Sequence, residues 1–323
     1  MRNKLTYLLM AAAAIMASAC TKTQADKPDN SIHFSAVAAK STRAIISGTT
    51  YPTDESFVVS AYVNGTDSYF EDNLASYSNA SSLWETSTSE YWPLSGSLDF
   101  VAYSPSSAQG ISVSASGISA DDYTILSGAQ MTTDLCYASA TVADCSNHPE
   151  YVPLTFSHAL SQVVFRVKAA SYYNTSGRTV SISLNSLAMA GIYSVGDLSD
   201  GTWENQESEN TYSLSATPTS LTYDANNDPE TIDVCSYLFI PQELGPNAEL
   251  RVGYQVKYTY PAAEPDSLVN PPVSIPLGST VTEWQPGKKY IYTISIGMDN
   301  LITFTASAVG WQDENDNIIV EEN

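Results

Sequence analysis

Basic residues are what this chain most lacks. Thirteen Lys and Arg stand against 35 Asp and Glu in 323 residues, for a formal charge of −22. Nucleic-acid binding needs clustered cations to meet phosphates, so a nucleic-acid partner is excluded. Histidine is also scarce, with His33, His148 and His158 only. The sequence contains no Gly-x-Ser-x-Gly, no His-Glu-x-x-His and no phosphate-cradling glycine loop. The chain is therefore not expected to be an enzyme, and His158, between two strand-like runs, is expected to cap or pack. The four cysteines form no Cys-x-x-Cys pair, which removes the usual zinc spacing. The stretch "DENDN" (Asp313–Asn317) has oxygen ligands at alternate positions, as calcium loops do, but Ile318 stands where such a loop needs Gly. It reads as a solvated turn, and no metal or cofactor is expected.

The basic residues that do occur are unevenly placed. Arg2, Lys4, Lys22, Lys27, Lys40 and Arg43 lie in the first 43 residues, and none follows over the 122 positions from Ala44 to Phe165. The opening "MRNKLTYLLMAAAAIMASAC" has a basic start and an apolar run from Leu5 to Ala17. That run is too short to span a bilayer as a helix and reads as a secretory signal. Ala17, Ser18 and Ala19 before Cys20 match a lipobox, so lipidation is expected at Cys20; a plain signal peptide is the alternative. "TKTQADKPDN" after Cys20 is polar and reads as a tether. Export permits disulfides. A Cys136–Cys145 bridge closing a short loop and free thiols at Cys136, Cys145 and Cys235 both remain open.

Hydrophobic residues make up 43% of the chain and tyrosines number 21, enough for real cores. Short runs rich in β-branched and aromatic residues recur, separated by Ser, Thr, Asn, Asp, Gly and Pro. Examples are "SFVVSAYV" (56–63), "LDFVAYS" (98–104), "QVVFRVKA" (162–169), "TVSISLNSLAM" (179–189), "LRVGYQVKYTY" (250–260) and "KYIYTISI" (289–296). No segment keeps a helical period, although "SHALSQ" (157–162) could make one helical turn. Such a series argues for antiparallel β-sandwiches. In "SIHFSAVA", Ile32, Phe34 and Ala36 alternate with His33, Ser35 and Val37, the pattern of a half-buried strand. The segment Asp67–Gly96 reads as loop-like. Its Trp84 and Trp92, with Tyr69, Tyr77 and Tyr91, are either sugar-stacking aromatics or ordinary core residues.

Four passages in order carry a family resemblance. They are the lipoprotein signal followed by "IHFSAVAAKSTRA", then "LDFVAYSP", then "DLCYASATV" leading into "VPLTFSHALSQVVFRVKA", and finally "WQPGKKYIYTISI" followed by "VGWQDEN". Together they span nearly the whole chain, and the chain resembles the fimbrillin family of Bacteroidetes, the subunits of type V pili. The resemblance implies an all-β fold of two tandem transthyretin-like antiparallel β-sandwich domains. The expected layout is a signal peptide at 1–20, a tether and removable strand at 21–43, and domains at 44–160 and 161–323. It also implies lipidation at Cys20, cleavage between Arg43 and Ala44 by an Arg-directed protease, and loss of the strand bearing Ile32, Phe34 and Ala36. Polymerisation with other pilus subunits by donor-strand exchange would follow, at the cell outer membrane and its fimbriae. The candidate donor is the C-terminal run with Ile318, Ile319 and Val320, though these also fit an ordinary last strand. A lipid-retaining anchor, a tip subunit and a glycan-binding surface lipoprotein are the alternative roles.

Overall fold

The computed structural model describes residues 30–38, 51–215, 217–261, 263–269, 272–298 and 301–310. Among them the fold is all-β, with three short 3-10 turns and no α-helix. Seven strands close into a ring: β1 (His33–Ala38), β2 (Ser56–Val63), β3 (Asp67–Ser78), β4 (Leu83–Thr86), β5 (Leu98–Ser104), β8 (Cys136–Val142) and β9 (Val152–His158). Their order around the ring is β1-β4-β3-β2-β5-β8-β9. Between β5 and β8 the chain leaves the ring and makes the hairpin of β6 (Ser112–Ser114) and β7 (Gly117–Thr124).

A four-stranded sheet follows the order β14-β10-β20-β21, from β10 (Ser161–Ala169), β14 (Ile232–Phe239), β20 (Lys288–Ile296) and β21 (Ile302–Gly310). A larger sheet is built on β11 (Thr179–Ser199), which pairs with β16 (Glu249–Tyr260), β12 (Thr202–Ser215), β13 (Thr219–Ser220) and β7. The strands β17 (Ala263–Val269) and β18 (Val273–Pro276) extend β16. A small ladder joins β15 (Gln242–Glu243) to β19 (Glu283–Trp284). Through β7 the hydrogen-bonded sheets tie the first half of the chain to the second.

Two cores result. One fills the ring and includes Phe34, Tyr51, Phe57, Trp84, Phe100 and Phe156. The other lies between the four-stranded and larger sheets and includes Phe165, Leu184, Tyr254, Trp284 and Tyr292. β2 and β5 serve both. Phe57, Val59 and Ala61 of β2 face the ring interior, while Val58 and Tyr62 join the second core. β5 does the same with Phe100 and Ala102 on one face and Val101 and Tyr103 on the other. Burial on both faces is why these runs are almost wholly apolar and lack polar alternation. Tyr62 donates its hydroxyl proton to the Val113 carbonyl at 3.0 Å, fixing the hairpin of β6 and β7 to this shared wall.

Three local expectations meet a different arrangement. The region Asp67–Gly96, read as a loop, holds β3 and β4. The run Ser157–Gln162 makes no helical turn, because β9 extends to His158 and β10 starts at Ser161. β11 continues past Met189 to Ser199. It passes Gly191, whose φ of +69° and whose hypothetical Cβ, 2.1 Å from the Asn247 carbonyl oxygen, leave room only for glycine. Two pairings are parallel, β1 with β9 and β10 with β20. Parallel neighbours need long connections, and a strand's own composition does not identify so distant a partner.

Phe165 tests the second core. It is fully buried and stacks on Tyr292 with ring centroids 5.5 Å apart. Phe165→Ala is expected to cost about 3–5 kcal/mol, read as a lower denaturant midpoint with an unchanged slope.

Candidate functional site

β1 is the strand that closes the ring. It pairs antiparallel with β4 through His33 and Phe34, opposite Glu85 and Trp84. On its other edge it pairs in parallel with β9 over five positions, from Phe34 opposite Val152 to Ala38 opposite Phe156. Its entrance is pinned by the Ile32 amide, which donates to the Glu90 carbonyl at 2.7 Å. The alternation in its sequence becomes an alternation of faces. Ile32, Phe34, Ala36 and Ala38 are buried in the ring core, while Val37 is 41% exposed. The Phe34 ring meets Phe57 and Phe100 edge-on, with centroids 6.1 and 5.6 Å away. Edge-to-face aromatic pairs add roughly 0.5–1.5 kcal/mol beyond burial. Burying Ile32 and Phe34 contributes about 1.5–3 kcal/mol each.

The surface that β1 covers is an aromatic groove. Tyr51 lies 4.9 Å from Phe156 and 5.7 Å from Trp84, and Phe57 lies 5.2 Å from Phe156. Without β1, this floor and the facing edges of β4 and β9 would be bare. A pair of unsatisfied edges over an apolar floor is a template for another strand.

Tyr51 is a residue that sequence reasoning passed over. It is fully buried, and its hydroxyl lies 2.5 Å from Ser104 Oγ. Burial pushes its phenol up from the ordinary tyrosine range, and the Ser104 hydrogen bond offsets part of that rise. The signal was a lone aromatic before Pro52 in "TTYPT". Ala38 pairs with Phe156 and the Tyr51 ring packs on Phe156, so the chain leaves β1 and re-enters the core beside the same side chain. Arg43 and Ala44 lie between these two anchors and outside the described residues, as do Cys20 and the candidate donor Ile318, Ile319 and Val320.

A buried polar trio sits where β8 pairs with β9. His158 Nδ1 is 2.7 Å from Asp134 Oδ2 and 3.4 Å from Cys136 Sγ. The three donor atoms lie within 4.8 Å of one another, and an N, O and S set of this kind can hold a transition metal. Burial, and then the Asp134 carboxylate, raises the Cys136 thiol well above its ordinary range. A thiol held in its protonated form is a poor nucleophile. Cys136, Cys145 and Cys235 are all free, which answers the disulfide alternative.

The other sequence candidates are core residues. Trp84 and Trp92 are buried, and Trp92 stacks on His148 with centroids 4.6 Å apart. Neither indole offers a face to a sugar; in that region Tyr91 and Tyr69 are the aromatics exposed.

The chain is all-β, and its first core is completed by the N-terminal strand β1. A fimbrillin-like family profile matches residues 42–311, and the chain belongs to that family. No curated protein matches it. A crystal structure of a fimbrial protein from Bacteroides vulgatus is similar, with 16% identity and a TM-score of 0.61, over 87% of this chain and 99% of that one. A candidate cell adhesion protein from Bacteroides uniformis matches at 14% identity over 88% of this chain and 100% of that one, with a TM-score of 0.49. At these identities the likeness concerns fold alone, and only the first score bears on it.

The role of β1 in stability is separable from that of the rest. Phe34→Ala in the full chain is expected to cost about 3–5 kcal/mol. Denaturant unfolding checks it against a chain starting at Ala44, in which Phe57→Ala still destabilises although Phe34 is absent.

Proposed function

We propose that this protein is a structural subunit of a type V pilus, exported as a lipoprotein through Cys20 and matured by cleavage between Arg43 and Ala44. The observation that carries this reading is β1. It is the only covering of an aromatic groove among the described residues, it buries Ile32, Phe34 and Ala36, and it precedes the Arg43 bond in the chain. Cleavage by an Arg-directed protease frees that strand from covalent attachment to the body. A strand from the next subunit then takes its place, with main-chain hydrogen bonds to β4 and β9 supplying affinity and alternate apolar side chains supplying register.

The C-terminal run of Ile318, Ile319 and Val320 is our candidate donor. The contact runs head to tail, so it propagates into a filament instead of closing on itself. We read the two cores as tandem transthyretin-like sandwiches, the first of them closed by β1. Before cleavage the Cys20 lipid holds the precursor at the outer membrane; afterwards the subunit belongs to the fimbrium and supports adhesion.

Arg43→Ala separates the possibilities. High-mass, detergent-resistant ladders of this subunit are expected to vanish from cells carrying the variant, with the precursor accumulating at the surface. Ladders of unchanged intensity would dismiss cleavage as the trigger. N-terminal sequencing of the surface protein is expected to begin at Ala44; an acylated Cys20 would indicate an anchor.

A further inference from the structure

Seven basic residues remain after Arg43, namely Arg166, Lys168, Arg178, Arg251, Lys257, Lys288 and Lys289. An endoprotease reads its substrate as an extended segment, so a peptide bond inside a sheet must first leave its ladder. Nicking therefore concentrates at exposed loop tips.

The structure holds six of the seven in strand ladders. Arg166 is on a central strand, opposite Asp233 on one side and Thr293 on the other, and its Nε donates to Asp233 Oδ1 at 2.7 Å. Lys168 pairs with Ser295. Arg251 lies between Ala188 and Ser274, and Lys257 between Ser181 and Ser267. Lys288 faces Gly310, while Lys289 lies between Gln162 and Val309. Arg178 alone ends a turn. Its amide and carbonyl are both bonded to Thr175, its guanidinium lies 5.7 Å over the Tyr258 ring, and the next residue, Thr179, already pairs with Thr259.

The exposed loops contrast with this. The tip of 105–110 and the turn of 224–228 carry Ser, Ala, Gln, Asn and Asp, but no Lys or Arg.

We propose that the folded body from residue 51 onward is closed to Lys- and Arg-directed endoproteases, because six of its seven basic residues are locked into strand ladders and the seventh, Arg178, closes a turn bonded to Thr175 through both its amide and its carbonyl, directly before β11. A protease of this class is thereby confined to the leader, and processing yields one product instead of fragments. The inference rests on the processing reading only for the leader cut; resistance of the body stands or falls separately.

Trypsin, which cuts after Lys and Arg, tests it on the full chain purified in mild detergent, with intact mass and N-terminal sequence as readouts. One stable product is expected, starting after Lys40 or Arg43 and uncut at all seven positions. A second variant, Gln109→Arg, places a basic residue on an exposed loop and is expected to be split there at the same protease dose. Cleavage of the native body at any of the seven sites, or an intact Gln109→Arg body, overturns the inference. An uncut leader beside a split Gln109→Arg loop would count against the processing reading and leave the shielding in place.

Discussion

The ring is closed by one short strand, and the first core depends on that closure. β1 has no neighbour in sequence among its partners. β4 and β9 reach it across the ring, and the parallel ladder with β9 provides most of its main-chain pairing. Its hold is otherwise made by side chains, with Phe34 wedged edge-on between Phe57 and Phe100. An edge over an apolar floor invites any strand of matching alternation, and covalent connection to the body favours β1 by keeping it at high local concentration.

The rest of the ring is supported from outside. β2 and β5 are buried on both faces, so the wall of the groove is also a wall of the second core. Tyr51 is held by Ser104 and by Phe57, Trp84 and Phe156, none of which belongs to β1. The trio of Asp134, Cys136 and His158 fixes the start of β8 to the end of β9, one of the edges that β1 covers. These contacts support the floor of the groove from residues outside β1, which a ring held only by its own ladder would not do.

The elements that could be read from sequence are those whose burial leaves a periodic trace. β1 shows period two because only one of its faces is buried, β2 and β5 are almost wholly apolar because both faces are, and β10 is apolar on both faces from Val163 to Phe165 before Arg166 and Lys168 alternate with Val167 and Ala169. β3 and β12 left no such trace. "DSYFEDNLASYS" and "TWENQESENTYSLS" are mostly exposed, with only Phe70, Asn73, Ala75, Trp203, Tyr212 and Leu214 buried. Their strand character comes from pairing with well-buried neighbours, β2 for β3 and β11 for β12, and not from their own composition. Composition likewise could not separate buried from exposed aromatics, so a sugar-stacking reading of Trp84 and Trp92 stayed open beside the favoured core reading. Tyr51 was missed for a related reason: it lies outside every periodic run, and its anchoring becomes visible only beside Ser104, which follows it by 53 positions.

Cleavage at Arg43 would not in itself empty the groove. In the uncut chain β1 is joined to Tyr51 through 12 residues, and a covalent link of that length keeps a segment at an effective concentration on the order of millimolar. After the proposed cut, the same strand would be held only by its ladder and by Ile32, Phe34, Ala36 and Ala38. It also remains joined to whatever lies upstream of Asn30. A donor strand of similar alternation would then compete on equal terms, and one with more or larger apolar side chains would be favoured by about 0.8 kcal/mol for each further buried methylene. On the proposed maturation, covalent attachment would be the lock that keeps β1 in the groove, and the scarcity of basic residues in the body would let a Lys- or Arg-directed protease open that lock without cutting what it guards.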